Sequence, residues 1–321
     1  MVSDQILKLG QSYGYSDNVV EHLADVYPDS VEQLIRAFQR PAPQIIRTNT
    51  LKITPEDLKE RLMKKGCSLR ETKWVDYGFW VVESPTSMGA THEYLKGYYS
   101  LQSLSSMIPV HLLAPHKDET VLDMCAAPGS KTTQIAMLME NQGQLVAVDN
   151  DENRIVALTS NLERSGVKNT IVLQEDAKTL KDKKLVFDKI LLDAPCSGIG
   201  RVWKSPIPRK HPDRAYLKPL MEEQVKLLQA GLRCLKKGGI LVYSTCSLYP
   251  EENEEIIQYV LSKKQNVELL DPWDSGIGIY GRPEYKGKKY PSEIMLKTRR
   301  ITPHEHDSEG FFIAMFQRKN D

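Results

Sequence analysis

Two cysteines lie in short polar motifs that could support nucleophilic chemistry. Cys196 lies in the motif DAPCSG at residues 193–198, and Cys246 lies in STCS at residues 244–247. Each motif directly follows a short apolar stretch that we predict to be a β-strand. A single cysteine usually packs as a small apolar side chain of the core. Two cysteines directly beyond neighbouring strands, among small polar residues, instead favour reactive thiols.

The other three cysteines are predicted to have different roles. Cys67 lies in a predicted strand and Cys234 on a predicted helix face, so both are interpreted as structural. Cys125 lies in a turn that could bind a ligand, and we expect it to pack there. The five cysteines include no CxxC pair, which argues against a disulfide framework and a zinc site, and no metal is predicted.

Small residues follow the first strand of a predicted sheet, in the string DMCAAPGSK at residues 123–131. They allow close approach of the backbone to a ligand, and the next helix offers its first N–H groups. The string is neither a dinucleotide fingerprint nor a phosphate-binding loop. Asp149 ends the second strand, about 20 residues further on, where an acid binds ribose hydroxyls. With Asp176 after the third strand, these residues predict a nucleoside ligand without a pyrophosphate clamp, namely S-adenosylmethionine.

These motifs need a parallel sheet, because such a sheet brings the carboxyl ends of its strands to one edge. Short apolar stretches alternate with helical patterns from about residue 103, which predicts βαβ units. We therefore predict a doubly wound, Rossmann-like α/β fold with a mostly parallel sheet. The predicted strands cover 121–123, 145–148, 171–173, 187–192, 240–243 and 310–316, and the predicted helices cover 130–140, 151–164 and 219–235, with one more after Pro250.

The N-terminal region has a different sequence pattern. Apolar residues at helical spacing predict short helices within residues 1–43. Residues 44–102 are predicted to form a small α+β module, with a helix that opens at Thr54-Pro55. The catalytic domain is then expected to span 103–321.

The composition is that of an ordinary globular protein, with 40% hydrophobic and 26% charged residues. No apolar run approaches the roughly 18 residues of a membrane helix, and the N-terminus does not resemble a signal peptide. We therefore expect a cytoplasmic protein without a membrane partner, and a monomer. The formal net charge of +1, from 43 basic and 42 acidic residues, argues at first against a nucleic-acid partner.

The charge is unevenly distributed, however. Segment 201–218 contains six basic residues and one acidic residue, and segment 282–300 contains seven and two. Both contain aromatic side chains, so phosphate contacts and base stacking are both available. The first segment lies close to Cys196 in sequence and is predicted to bind RNA, whereas the second is equally compatible with a solvated loop. The predicted RNA-binding residues are Arg201, Lys204, Arg209, Lys210 and Arg214.

The sequence closely resembles one family, the S-adenosylmethionine-dependent RNA cytosine-5 methyltransferases of the NOL1/NOP2/Sun group. The two cysteine motifs occur in the family's order, which makes the resemblance highly specific. The matching stretches are Pro43-x3-Arg47-x-Asn49-x-Leu51-Lys52, Tyr99-x2-Gln102, DMCAAPGSKT at 123–132, DAPCSG at 193–198, the GG, LVYSTCS and PEENE motifs within 234–254, and DSEGFFIA at 307–314.

The resemblance implies roles for the two thiols. The family pattern assigns attack on cytosine C6 to Cys246 and proton removal or product release to Cys196. Asp193 would bind or protonate the ring at N3. The residues alone leave the choice between the thiols open, because DNA cytosine-5 methyltransferases use a Pro-Cys motif as nucleophile.

The resemblance also implies a cofactor site. Asp149 would hold the ribose hydroxyls with Arg154 nearby, and Asp176 would face the adenine. Lys131 would contact either the cofactor carboxylate or Asp193, which is itself grouped with the cofactor site. The residues expected to line the methionine and ribose are Cys125, Ala126, Ala127, Pro128, Gly129, Ser130 and Lys131.

The expected substrate is RNA, with tRNA favoured over rRNA because the chain has neither a long basic tail nor a domain after the catalytic one. Methylation of DNA or of another substrate by the same fold is a second hypothesis. An RNA-binding assembly factor without catalysis is a third, and the presence of Cys246, Cys196 and Asp193 argues against it.

Overall fold

The computed structural model describes residues 2–203, 209, 214–263, 266–272 and 276–320, with Arg214 described by its backbone alone. The chain forms two compact units. The thiol unit, named for Cys196 and Cys246, comprises Met1–Ala42, Ala194–Leu232 and Tyr243–Lys319, and the sheet unit comprises Pro43–Asp193, Arg233–Val242 and Asn320–Asp321. The three domains predicted from the sequence stay a prediction beside this grouping. In the described part of the chain, no helix has the length and apolar character needed to cross a membrane.

The elements are numbered along the chain. The described helices are α1 (Asp4–Ser12), α2 (Asp17–Val26), α3 (Val31–Ala37), α4 (Pro55–Met63), α5 (His92–Leu95), α6 (Leu104–Leu113), α7 (Ser130–Leu138), α8 (Glu152–Ser165), α9 (Arg214–Cys234), α10 (Glu254–Ser262), α11 (Ser292–Lys297) and α12 (Pro303–His306). The described strands are β1 (Ile45–Thr48), β2 (Ser68–Glu71), β3 (Gly78–Glu83), β4 (Tyr99–Leu101), β5 (Thr120–Asp123), β6 (Gln144–Asp149), β7 (Thr170–Gln174), β8 (Phe187–Asp193), β9 (Leu235–Thr245), β10 (Val267–Leu270), β11 (Ile279–Tyr280), β12 (Glu284–Tyr285), β13 (Lys288–Lys289), β14 (Thr298–Ile301) and β15 (Phe311–Arg318).

A parallel sheet forms the centre of the sheet unit. Its strands lie in the order β9-β8-β5-β6-β7, and β5 pairs in parallel with both β6 and β8. The chain therefore winds outward from β5 in both directions, as in a doubly wound fold, and the predicted fold class is confirmed. Ligands of such sheets bind beyond the carboxyl ends of the strands where the winding reverses. Asp123, Asp149 and Asp193 end β5, β6 and β8.

Helix α8 shows how the local sequence builds these units. The Asp151 side chain caps its N-terminus by accepting hydrogen bonds from the N–H groups of Asn153 and Arg154. Gly166, with φ of 74°, ends it in the left-handed region that favours glycine. Between the caps, Leu158 is buried and contacts the core beneath β6. The helix thus packs one apolar face on the sheet.

The region before the parallel sheet contains an antiparallel sheet in the order β2-β3-β1-β4. Thr54 caps α4, which packs on this sheet through Leu58 in a core shared with Ile46 and Phe79. The buried Arg47 of β1 donates hydrogen bonds to Thr133 at 2.8 Å and to the carbonyl of Ser130. The small α+β module therefore contacts the start of α7 directly.

The thiol unit combines N-terminal helices with antiparallel strands. Helices α1 to α3 bury apolar residues against Leu248 and Tyr249 of the segment that follows Cys246. β15 pairs antiparallel with β14 and β10. The predicted terminal strand is thus present, and it extends to Arg318.

The largest differences from the predicted element bounds lie at β9 and α9. β9 begins at Leu235 instead of residue 240 and runs through Gly238 and Gly239. A Cβ on Gly239 would lie 2.8 Å from the carbonyl oxygen of Asp188 in β8, so close strand approach explains the glycine there. Helix α9 begins at Arg214 instead of residue 219 and contains Pro219 in its interior. Cys67 is buried but precedes β2 instead of lying within it.

A fully buried ion pair joins α10 to β14 in the thiol unit. Arg300 Nε donates to Glu254 Oε1 at 2.7 Å, and both side chains have 0% exposure. Arg300 also donates to the Tyr27 hydroxyl at 3.1 Å and to the carbonyl of Leu248 at 2.8 Å. The basic segment 282–300 therefore contributes at least one arginine to the interior instead of to a nucleic-acid surface.

Glu254→Gln is expected to lower the free energy of unfolding by about 3–5 kcal/mol, because it leaves the buried Arg300 charge without its counter-ion. Urea unfolding followed by circular dichroism measures the change. Glu293→Gln is the matched control, since Glu293 forms an exposed i,i+4 pair with Lys297. That control should change stability by less than about 1 kcal/mol. Equal effects of the two substitutions would contradict the prediction.

Candidate active site

The two cysteines of the predicted site lie together. Cys196 Sγ and Cys246 Sγ are 3.1 Å apart, and both residues are partly exposed. Cys196 follows β8 and Cys246 follows β9, and the N–H of Ala194 donates to the carbonyl of Ser244 at 2.8 Å. The strands therefore deliver the thiols to adjacent positions. All five cysteines lie in the described part of the chain, and none forms a disulfide bond.

Close backbone packing fixes the loop after Cys196. The N–H of Gly200 donates to the carbonyl of Cys246 at 2.9 Å, and the N–H of Gly310 donates to the carbonyl of Gly200 at 2.8 Å. A Cβ on Gly200 would lie 2.2 Å from the carbonyl oxygen of Gly310. Only glycine fits this approach, which explains the glycines at positions 200 and 310.

Glu252 is a site residue that the sequence reasoning did not single out. Its carboxylate is fully buried and accepts hydrogen bonds from Ser197 and Ser247, the residues that directly follow the two cysteines. Burial raises the pKa of this carboxyl, and the hydrogen bonds from the two serines oppose that effect. Glu252 lies in the PEENE motif at residues 250–254. The motif could have drawn attention to Glu252, but it does not show which side chains the carboxylate contacts.

The predicted nucleoside site lies in the sheet unit. The N–H of Ala127 donates to Asp149 Oδ2 at 3.1 Å, and Arg154 Nη2 lies 3.5 Å from the same oxygen. Gly129, with φ of 100°, precedes α7, and a Cβ there would lie 2.9 Å from Leu158 Cδ1. The loop thus packs closely against α8 with Asp149 at its base. A buried carboxylate beside backbone N–H groups is a donor and acceptor set that suits ribose hydroxyls.

Two groups in this loop have strongly raised pKa values. Burial raises the pKa of Asp123 to about 7, although Thr132 Oγ1 donates to its carboxylate at 2.8 Å. Burial also raises the pKa of the Cys125 thiol well above its usual value, and the carboxylates of Asp123 and Asp193 add to the effect. A thiol held neutral in this way is a poor nucleophile, which agrees with a packing role for Cys125.

Lys131 contacts Asp193. The Nζ–Oδ2 distance is 2.6 Å, and Nζ also donates to Ser106 Oγ at 2.9 Å. This is one of the two contacts expected for Lys131, and the other, with the cofactor carboxylate, stays a prediction. Asp176 caps the turn after β7 by accepting a hydrogen bond from the N–H of Lys178 at 2.9 Å.

The predicted RNA-binding residues are only partly described. Arg201 Nε lies 3.5 Å from Glu309 Oε2, and Arg209 donates to the carbonyl of Tyr13 at 2.9 Å. Arg214 begins α9, and its side chain lies outside the described structure. Lys204 and Lys210 also lie outside the described residues. The role of these five residues in RNA binding stays a prediction.

The chain matches known families along most of its length. Residues 110–317 match the family described as 16S rRNA methyltransferase RsmB/F, and residues 16–104 match the N-terminal domain of 16S rRNA methyltransferase RsmF. The chain belongs to the RsmB/F methyltransferase family. The resemblance inferred from the sequence is thereby confirmed, and with it S-adenosylmethionine as the cofactor of the family.

Several relatives extend over nearly the whole chain. A mouse 28S rRNA (cytosine-C(5))-methyltransferase is 39% identical over 97% of this chain and 40% of its own length. The ribosomal RNA small subunit methyltransferase F of Vibrio parahaemolyticus is 37% identical over 94% of this chain and 63% of its own length. The chain therefore spans about half the length of the curated relatives that it matches.

Solved structures agree with the fold. A methyltransferase homologue from Pyrococcus horikoshii has a TM-score of 0.89 at 39% identity, and the match covers 99% of this chain and 100% of that one. NSun6 from Pyrococcus horikoshii, solved with SFG, has a TM-score of 0.82 at 26% identity. That match covers 94% of this chain and 98% of the NSun6 chain.

Proposed function

We propose that this RsmB/F family member methylates C5 of a cytosine in RNA, with rRNA as the substrate. The observation that carries the proposal is the pair of thiols of Cys196 and Cys246, whose sulfur atoms are 3.1 Å apart. C5 of cytosine is a poor nucleophile and needs activation before it accepts a methyl group. Two thiols at one place provide a nucleophile that activates the ring and a second group that handles a proton.

The proposed reaction begins at Cys246. Its thiolate forms a bond to C6, and the electrons of the C5–C6 double bond become available at C5. Asp193, three residues before Cys196 in the chain, would hydrogen-bond N3 and stabilise the charge that develops on the ring. Lys131, 2.6 Å from the Asp193 carboxylate, holds that carboxylate in place.

Cys196 is assigned to the second half of the reaction. S-adenosylmethionine supplies the methyl group when it is bound, and Asp149 with the loop from Cys125 to Lys131 would hold it. Cys196, as a thiolate, then takes the proton from C5 and becomes a thiol, and the electrons of that C–H bond restore the C5–C6 double bond. The C6–sulfur bond breaks, Cys246 leaves as a thiolate, and the proton on Cys196 passes to water.

The identity of the RNA rests on the relatives. The sequence alone favoured tRNA, whereas the names of the mouse and Vibrio relatives refer to rRNA and support the alternative. The target cytosine must be unstacked or single-stranded, because attack at C6 needs access to the face of the ring. A cytoplasmic location and a monomeric state stay predictions.

A methyl-transfer assay tests the proposal. The purified protein is incubated with radiolabelled S-adenosylmethionine and with rRNA, tRNA or duplex DNA, and labelled positions are mapped by bisulfite sequencing. We expect label in rRNA at defined cytosines, with Cys246→Ala as the inactive control. Label in tRNA alone would show that tRNA, and not rRNA, is the substrate. Label in DNA, or in no nucleic acid, would contradict the proposed function.

A further inference from the structure

Glu252 lies between the loop of Cys246 and helix α10. It ends the short 3-10 turn Pro250–Glu252, and its side chain has 0% exposure. A buried carboxylate is unfavourable unless hydrogen bonds replace its lost hydration. The donors that Glu252 contacts are neutral groups, so the carboxylate is held by hydrogen bonds from the loops around it.

The donors come from both cysteine loops. Glu252 Oε1 accepts from the N–H of Ser197 at 2.8 Å and from Gln224 Nε2 at 3.0 Å. Glu252 Oε2 accepts from Ser197 Oγ at 2.5 Å and from Ser247 Oγ. Ser197 directly follows Cys196, and Ser247 directly follows Cys246. One carboxylate therefore bridges the two residues adjacent to the thiols.

Neighbouring contacts tie the other side of each cysteine. Gln224 Nε2 also donates to the carbonyl of Pro195 at 2.9 Å, so one amide contacts both the bridge and the residue before Cys196. Asn253 accepts from Thr245 Oγ1 at 2.7 Å and donates to the carbonyl of Ser247 at 3.0 Å. Thr245 and Ser247 flank Cys246. Each thiol is therefore held on both sides by a network centred on Glu252 and Asn253.

The network suits the ionised form of Glu252. A carboxylate has about four lone-pair sites, which matches the four donors that face it. The N–H of Ser197 can only donate, so the oxygen that faces it must accept, whereas the serine hydroxyls at the other oxygen can donate or accept. The bridge therefore needs a polar side chain at this position, and an apolar side chain of similar size removes it.

We infer that Glu252 is a positioning residue that holds Cys196 and Cys246 at the separation that the reaction needs. The inference rests on the proposed function, because it assigns one thiol to attack and the other to proton removal on the same ring. Glu252 would act through Ser197 and Ser247, without itself contacting a reacting atom. Groups that act in sequence on one ring must keep their relative geometry within a fraction of an ångström.

Glu252→Leu tests the inference in steady-state kinetics. The leucine side chain accepts no hydrogen bond, so the four donors lose their common acceptor and the cysteine loops are no longer bridged. We expect kcat to fall about 10- to 100-fold, with little change in KM for RNA. Tyr243→Phe is the matched control, because the buried Tyr243 hydroxyl donates at 2.7 Å to the backbone carbonyl of the same Glu252. That control should keep a kcat close to the wild-type value.

A second readout needs neither RNA nor the methyl donor. Diamide accepts one hydrogen from each thiol and becomes a hydrazine, while the two sulfurs form a disulfide. The rate at which the Cys196–Cys246 disulfide forms, measured by peptide mapping, reports how well the thiols are aligned. Glu252→Leu should lower that rate at least several-fold, and Tyr243→Phe should leave it unchanged. This readout stands even if the proposed methylation of RNA proves wrong.

The alternative is a role in folding alone. Wild-type rates of disulfide formation and turnover in Glu252→Leu would overturn the inference, as would equal losses in Tyr243→Phe. If Glu252→Leu does not fold, Ser197→Ala removes one hydroxyl donor and keeps the backbone contact. It should then lower both rates by a smaller factor, and a Ser197→Ala protein with unchanged rates would also overturn the inference.

Discussion

Cys246→Ala is expected to lower the rate of methyl transfer by more than about 1,000-fold, the scale at which loss of a covalent nucleophile acts. Without the thiolate, C6 has no nucleophile to attack it, and C5 stays unactivated. A single-turnover assay on an rRNA transcript measures the change. Binding of the transcript, measured separately by fluorescence anisotropy, should be nearly unchanged, because the substitution removes one sulfur atom from a partly exposed residue.

The matched control for this prediction is Cys67→Ala. Cys67 is buried in the core of the small antiparallel sheet and has no proposed part in the reaction. It should keep wild-type activity. If Cys246→Ala retains substantial activity while Cys196→Ala loses all of it, the roles of the two thiols are exchanged.

The juxtaposition of the two thiols could be predicted because its signals are local. Each cysteine follows a short apolar strand, and parallel strands end at one edge of their sheet. The strand order β9-β8-β5-β6-β7 satisfies this expectation, and Cys196 and Cys246 meet. The aspartates that end β5, β6 and β8 are identified in the same way. This part of the prediction rests on the pattern of apolar residues and on which residues directly follow each predicted strand.

The side chains that hold the two cysteine loops in place could not be predicted, because their contacts are long-range. Glu252 lies 55 residues from Ser197, and no local pattern shows that its carboxylate contacts the residue after Cys196. The same limit applies to Arg300, which lies in a basic segment and looks suited to RNA. It is instead fully buried against Glu254, 46 residues away. Net charge along a segment does not distinguish a solvated cation from a paired one.

The glycines show why such contacts do not follow from local patterns. Gly129 was predicted to allow close approach of the backbone to a ligand, and in the structure a Cβ there would lie 2.9 Å from Leu158 Cδ1. Gly238 and Gly239 precede the strand predicted at 240–243, and β9 runs through them. Close packing against Asp188 requires the glycine at 239. A glycine thus marks a constraint on the backbone, and only the fold shows whether the constraint is a turn or a neighbouring strand.

Cys196→Ala is expected to trap a covalent complex between the protein and its RNA. Cys246 can still attack C6 and C5 can still receive a methyl group, but the proton on C5 is no longer removed. The C6–sulfur bond therefore persists, because its loss requires the electrons of the C5–H bond. Turnover should fall about 100- to 10,000-fold, the usual contribution of a positioned base. Denaturing electrophoresis should show a band at the combined mass of protein and RNA.

The trapped complex also decides between the thiols. The double variant Cys196→Ala/Cys246→Ala should form no adduct, since the attacking sulfur is absent. Without the methyl donor, addition at C6 is reversible, and the band should be weak. An adduct in Cys246→Ala instead would make Cys196 the nucleophile. Normal turnover in Cys196→Ala would show that its sulfur, 3.1 Å from that of Cys246, takes no part in proton removal. Because one chain supplies both thiols, the two single variants and the double variant together assign each step to one sulfur atom.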